Sequence, residues 1–361
     1  MKKISLILAL VLLVSLLAGC AGTPVIYYTE CDCPEGGVAA PADPKPADPK
    51  PAEPQTPPAA SAEGALKTGL YIGASTADSV DGKASYDVTM AAVLVDDNGV
   101  IQQCIIDGIS ASVEFDAAGA ITTDLTAPVQ TKNELGPDYG MVAWNGAIAE
   151  WDAQAAALAA YAVGKTVDEL KNGAIDESGY AKDADLAASA TINLFGGVFA
   201  IEGAVANAQH LGAQAGDTLK LASINTIDGS TNATAEAAGL AELYINAVAL
   251  TMNGDVITSC ALDAVQAKVN FGTDGVITGE LTKHVLTKNE LGPDYGMVAW
   301  AGAIAEWNAQ AASFAAYVTG KTPAEVAGIA VSENKPTDAD LASSVTIKIN
   351  GFQDLIAKAC A

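Results

Sequence analysis

The sequence predicts an α+β protein: two tandem homologous domains, each an antiparallel sheet packed with helices, after a signal peptide and a disordered proline-rich linker. Three observations carry this. The segment over 131–166 recurs almost verbatim over 287–322, an offset of 156, and repetition at a fixed offset marks repeated structural units. Each repeat opens on apolar strand-like runs joined by a glycine turn, as in "DVTMAAVLVDDNGVIQQCIIDGI" and "AVALTMNGDVITSCALDAV". Each continues into a stretch whose apolar residues recur at helical spacing.

From the N-terminus, Lys2 and Lys3 precede an apolar run over 4–17 that ends in Leu17-Ala18-Gly19-Cys20. A short basic region, an apolar run and small residues before a cysteine form the pattern of a bacterial lipoprotein signal peptide over 1–19, with lipidation of Cys20. The other reading is a plain signal anchor, for which the run is short. The expected location is the outer, extracellular face of the cell membrane, held by lipid, in a bacterium of Gram-positive type. Residues 20–65 are the lipid-anchored linker. Their proline-rich core, residues 34–63, favours extended polyproline II, so 30 residues at about 3.1 Å each reach roughly 90 Å.

Net charge is -25, and all 18 basic residues are lysine. Such a chain repels the nucleic-acid backbone and has no arginine fork for gripping phosphate. Six cysteines are too sparse for a disulfide framework. Cys104 and Cys260, at matching repeat positions in apolar runs, read as buried free thiols. Cys31 and Cys33 read as incidental thiols of a flexible segment, or as a metal-binding or crosslinking pair, and Cys360 has no assigned role. With only His210 and His284 present, no zinc-type ligand set can be assembled, and no metal site is expected.

Repeat one is drawn over 66–209 and repeat two over 218–361. In each, a hairpin comes first, with Asp97, Asn98 and Gly99 or Asn253 and Gly254 at its turn. A third strand is expected from "ASVEFDAAGAITTDL". A continuous helix is expected over 141–163, ended by Gly164, with Trp144 and Trp151 (Trp300 and Trp307 in repeat two) as a core stripe at i, i+7. A short helix in "TVDELKNG", a strand in "SATINL" or "SVTIKIN", and a final helix over 197–209 or 351–359 complete the unit. The helices are placed on one face of the sheet.

The chemistry-bearing pattern is an aspartate, small residues and Ser-x-Thr: Asp185, Ser189 and Thr191 in repeat one, and Asp340, Ser344 and Thr346 in repeat two. The offset there is 155, so one residue has been lost on the way. A threonine hydroxyl with no adjacent base is a poor nucleophile but a reachable site for modification. The motif resembles the flavinylation motif of the FMN-binding domain family, in which a dedicated transferase joins FMN to a threonine through a phosphate ester. The glycine hairpin and the helix after the threonine also fit that family. The anchor, stalk and paired units resemble the flavin-carrying surface lipoproteins of Gram-positive extracellular electron transfer. The resemblance implies covalent FMN, two per chain, on Thr191 and Thr346. It implies as partners a flavin transferase, a membrane quinol-linked electron donor, an extracellular acceptor such as ferric iron, and the membrane itself through Cys20. An electron carrier is implied rather than an autonomous enzyme, so no catalytic residue is assigned. Val345 stands where the family has a small residue.

The loop "NELGPDYG" is identical in both repeats. It reads as a helix entry with Asp138 as N-cap, or as a contact to the flavin ring, with Tyr139 and Tyr295 stacking and Asn133, Asn289 or Lys132 hydrogen-bonding its edge. The alternative function is a cofactor-free solute-binding or cell-wall-interacting lipoprotein.

Overall fold

A computed structural model describes residues 64–361. The expected signal peptide, Cys20, Cys31, Cys33 and most of the linker lie outside the described residues. Repeat one forms an antiparallel sheet of strands β1 (Lys67–Ser75), β2 (Lys83–Val95) and β3 (Ile101–Glu114), in that order. Helices α1 (Lys132–Leu135), α2 (Met141–Asn145), α3 (Trp151–Ala162), α4 (Val167–Gly173), α5 (Ala184–Ala187) and α6 (Phe195–Ala206) follow. Repeat two retraces this with β4 (Thr218–Thr226), β5 (Gly239–Asn253), β6 (Val256–Phe271), α7 (Lys288–Leu291), α8 (Met297–Ala301), α9 (Trp307–Val318) and α10 (Pro323–Ala327). A small hairpin of β7 (Val331–Ser332) and β8 (Lys335–Pro336) then leads to α11 (Ala339–Ala342) and α12 (Asn350–Ala359). The result is α+β with antiparallel sheets. Among the described residues no helix is long and apolar enough to cross a membrane.

The central strands read as unbroken apolar runs because both of their faces are buried. On β2, Ala91, Val93 and Val95 face the helices, packing with Leu158, Val198 and Ile201. Met90, Ala92 and Leu94 point the other way, into a core shared with Leu243, Ile245, Ala247 and Ala249 of β5. Period-two alternation directs these two sets apart. Helices therefore cover one face of each sheet, as expected, and the opposite repeat's sheet covers the other. The seam is near-symmetric. Phe115 stacks on its repeat-mate Phe271 with centroids 3.8 Å apart and planes 7° from parallel. The Gly82 N–H donates to the Gly275 carbonyl at 2.9 Å, and the Ala233 N–H to the Gly119 carbonyl at 2.9 Å.

Several expectations are corrected. The third strand of each sheet is β1 or β4, which precedes the hairpin. Of the expected third-strand segment in repeat one, residues 111–114 belong to β3, and the rest makes one bridge, Phe115 to Ile121, around a glycine turn. The expected helix over 141–163 is broken: Gly146 takes φ 67° and caps α2, and α3 starts anew at Trp151. The break turns Trp144 outward, 87% exposed, with Trp300 at 75%, so neither belongs to the core; Trp307 is buried at 5%. Asp138 lies within a single 3-10 turn, and the caps are Thr131 and Thr287, each in a full capping box with Glu134 or Glu290. "SATINL" and "SVTIKIN" form no strand. They run from turns into α6 and α12.

Candidate functional site

Both motif threonines sit in the turn between a four-residue helix and the final helix of their repeat. Asp183 and Asp338 start α5 and α11 by accepting backbone N–H bonds as N-caps, because a side-chain oxygen there satisfies otherwise orphaned donors. The motif residues Asp185 and Asp340 lie one step inside those helices and are exposed. Ser189 donates to the carbonyl of Asp185 at 3.4 Å and Ser344 to that of Leu341 at 3.3 Å. These serines brace the turn.

What positions the threonines is a pair of glutamines that the sequence reading passed over. Gln154 of α3 is fully buried. Its Oε1 accepts the N–H groups of Thr191 at 2.7 Å and Ile192 at 3.1 Å, with the Thr191 hydroxyl at 3.4 Å. Its own Nε2 donates to the Ala149 carbonyl at 2.7 Å. Gln310 of α9 repeats the arrangement on Thr346 at 2.8 Å and Ile347 at 3.2 Å, with the hydroxyl at 3.2 Å, and donates to Ala305 at 2.7 Å. A buried amide satisfied on both ends fixes local geometry firmly. The side chains of Ala190 and Val345 are both buried beneath the turn. The bulkier Val345 therefore points away from the hydroxyl and leaves the Thr346 clamp as it is at Thr191. The available signal for the glutamines was a polar residue, Gln154, on the same helical face as Trp151 and Leu158, repeated at Gln310.

In repeat two, Thr346 lies in a groove of about 670 Å³ whose walls include Tyr244, Met297, Ile304, Trp307, Lys335, Lys348 and Phe352. Beneath the two aromatic walls runs a buried ammonium. Lys288 is 5% exposed and lies 4.7 Å from the Tyr244 ring centroid, 5.0 Å from that of Trp307 and 4.9 Å from that of Tyr295. It donates to the Tyr244 hydroxyl at 2.9 Å. Burial lowers the Lys288 pKa to about 8, opposed by the Glu242 carboxylate, since a low dielectric disfavours the charged form. The same burial raises Tyr244 to about 12 and Asp263 to about 6. In repeat one the lysine is Lys132, 4.9 Å from the Trp151 ring and 5.5 Å from that of Tyr139. Its nearby carboxylate is Asp87, at 3.7 Å.

The structure thus places Tyr295 and Tyr139 on lysines, and the Tyr295 hydroxyl donates to Gln266 at 3.3 Å. The Asn133 and Asn289 side chains donate to the Ile106 and Leu262 carbonyls, both at 2.9 Å, tying the loop to β3 and β6. None of the four lines the groove with Thr346. Cys104 on β3 and Cys260 on β6 are free thiols; Cys260 is buried as expected, while Cys104 is half-buried. Desolvation pushes both up to about 12.

Comparison with family models, curated proteins and solved structures finds no match for the chain.

Proposed function

We propose that the chain is a membrane-anchored extracellular flavoprotein with two homologous flavin-bearing units. It carries FMN as a phosphate ester on Thr191 and Thr346 and relays electrons from a membrane quinol-linked donor to external acceptors such as ferric iron. A flavin transferase makes the bonds from FAD: the threonine Oγ1–phosphorus bond forms as the pyrophosphate bond breaks, with AMP leaving and the hydroxyl proton released. Lipid on Cys20 holds the chain at the outer face of the membrane. The observation that carries this reading is the repeated clamp: two threonines a repeat apart, each held through its backbone N–H and hydroxyl by a buried glutamine, with Thr191 exposed and Thr346 half-buried. The groove beside Thr346 suits the group. Its volume lies in the range of small-molecule sites. Tyr244 and Met297 offer apolar contacts for a planar ring, while Lys335 and Lys348 offer charge for a phosphate. The bound flavin supplies the redox chemistry; the protein supplies tether, position and local charge. A covalent tether also keeps the group at high effective concentration outside the cell.

Co-expression with a flavin transferase tests this. The expected product is heavier than the chain by two flavin mononucleotides less two waters, one lost per ester, and Thr191→Val and Thr346→Val each remove one such increment. A colourless chain of unmodified mass rejects it. A second reading, a cofactor-free solute-binding protein, is favoured by a cavity of about 700 Å³ at the seam, lined by Thr68, Asn207, Cys260, Asp263, Asn289 and Thr319. It predicts ligand-dependent stabilisation of a chain that never takes up flavin.

A further inference from the structure

The two threonine turns share one backbone frame, yet the side chains around them differ in a consistent way. The frame is fixed by the glutamine clamps and by matched bonds: the Leu194 N–H donates to the Gly179 carbonyl at 2.7 Å, and the Ile349 N–H to the Asn334 carbonyl at 2.8 Å. At the shared offset of 155, four positions beside the threonine have diverged: Gly179 to Asn334, Tyr180 to Lys335, Asn193 to Lys348 and Phe195 to Asn350. The residue lost between the repeats falls here too. The Lys182 N–H meets the Ala174 carbonyl just as the Thr337 N–H meets the Ala330 carbonyl, so the turn between them is one residue shorter in repeat two. The shorter turn is the β7–β8 hairpin, with Glu333 and Asn334 at φ 51° and 66°. Positive φ at both central residues is the requirement of a tight two-residue hairpin, and this hairpin brings Lys335 to the groove.

The sets have opposite characters. In repeat one, Phe195 lies against Gly179, where a Cβ would fall 2.5 Å from its ring. Asn193 is committed locally, donating to the Ser178 carbonyl at 2.8 Å and accepting the Phe195 N–H at 2.9 Å. On the strand wall, Asp87 opposite Ser110 occupies the register position that Tyr244, opposite Gln266, holds in repeat two. Repeat one therefore has an aromatic ring and a carboxylate at the positions where repeat two has Asn350 and Tyr244. Repeat two sets Lys335, Lys348, Asn350, Asn246 and the ring of Tyr244 around Thr346. In a chain of net charge -25, two lysines converging on one groove run against the overall field.

We propose that the groove beside Thr346 is a preformed, non-covalent site for a phosphate-bearing planar aromatic, held by Lys335 and Lys348 at the phosphate and by Tyr244 at the ring, and that the turn at Thr191 is not. This rests on the flavin reading for the identity of the ligand and adds an order to it. Unit two captures the free mononucleotide by itself, and unit one takes its flavin only through the transferase.

The test uses the full chain made without transferase and carrying Thr346→Val, titrated with FMN and with riboflavin, which lacks the phosphate, by quenching of flavin and tryptophan fluorescence. The expected result is a single site at which FMN binds about tenfold tighter than riboflavin, about 1.4 kcal/mol. That preference should weaken with salt. Lys335→Gln with Lys348→Gln should abolish it, while Asn193→Gln in unit one should leave it intact. Equal affinity for the two ligands, no binding of either, or a preference that survives loss of both lysines overturns the proposal. Absence of covalent flavin after co-expression would instead defeat the function reading and leave the outcome of this titration as it stands. Exposed lysines changed to glutamine leave the fold in place, so loss of binding reports on the groove.

Discussion

At the scale of single residues, buried polar groups set the geometry of both threonine turns. Gln154 and Gln310 each satisfy backbone N–H groups of a threonine and the following isoleucine. Removing one leaves buried donors unpaired, at about 1–3 kcal/mol for each group lost. Gln310→Ala should therefore lower the thermal midpoint and the extent of flavin attachment at Thr346, while leaving Thr191 labelling unchanged by peptide mass analysis. Lys288 makes a pH prediction. Its folded pKa, about 8, lies below its ordinary 10.5, so between those values the unfolded chain binds more protons. Stability should rise with pH across that window. Lys288→Met should flatten that rise in urea titrations run from pH 7.5 to 10.5, and an unchanged slope would assign the effect elsewhere. The sequence carried the threonines plainly, because a motif repeated in two units stands out. It carried the aromatic surroundings poorly: Trp144 and Trp151 have the spacing of a core stripe, and only a positive φ at Gly146 separates their fates.

Among secondary-structure elements, legibility followed local chemistry. The hairpins and the final helices were readable because glycine turns and apolar periodicity are local signals; the helix expected over 141–163 was readable only in its second half, α3. The first strand of each repeat was not. β1 reads "KTGLYIGAS", short and interrupted by glycine. Its glycines are demanded by neighbours that sequence cannot show. A Cβ on Gly69 would stand 1.9 Å from the Ala204 carbonyl oxygen of α6, so β1 and α6 approach at backbone distance. Gly69→Ala should cost several kcal/mol, at or beyond the upper end of ordinary overpacking, and be visible as a lower urea midpoint. Gly146→Ala, with open space around it, should cost only about 1 kcal/mol of left-handed strain.

For the whole molecule, the repeat predicted two tandem domains, and the structure shows two halves closed over a shared core. The signal was present in the unbroken apolar runs of β2 and β5, since a sheet with one wet face alternates and a sheet buried on both faces does not. What sequence could not supply was the identity of the covering layer. The seam makes a prediction of its own. Repeat two expressed over 218–361 alone would expose Leu243, Ile245, Val265 and Phe271, which the full chain buries. It should self-associate in sedimentation, whereas the full chain should not associate through this face. Phe115→Ala with Phe271→Ala should lose less than the sum of the single changes, because each removes the same stack.

The central claim concerns a covalent bond at two defined oxygens. Protease digestion of the full chain, co-expressed with a flavin transferase and denatured before analysis, tests it most directly. The peptide containing Thr346 and the peptide containing Thr191 should each carry yellow fluorescence and a mass gain of one flavin mononucleotide less one water. Both peptides at their unmodified masses would contradict it.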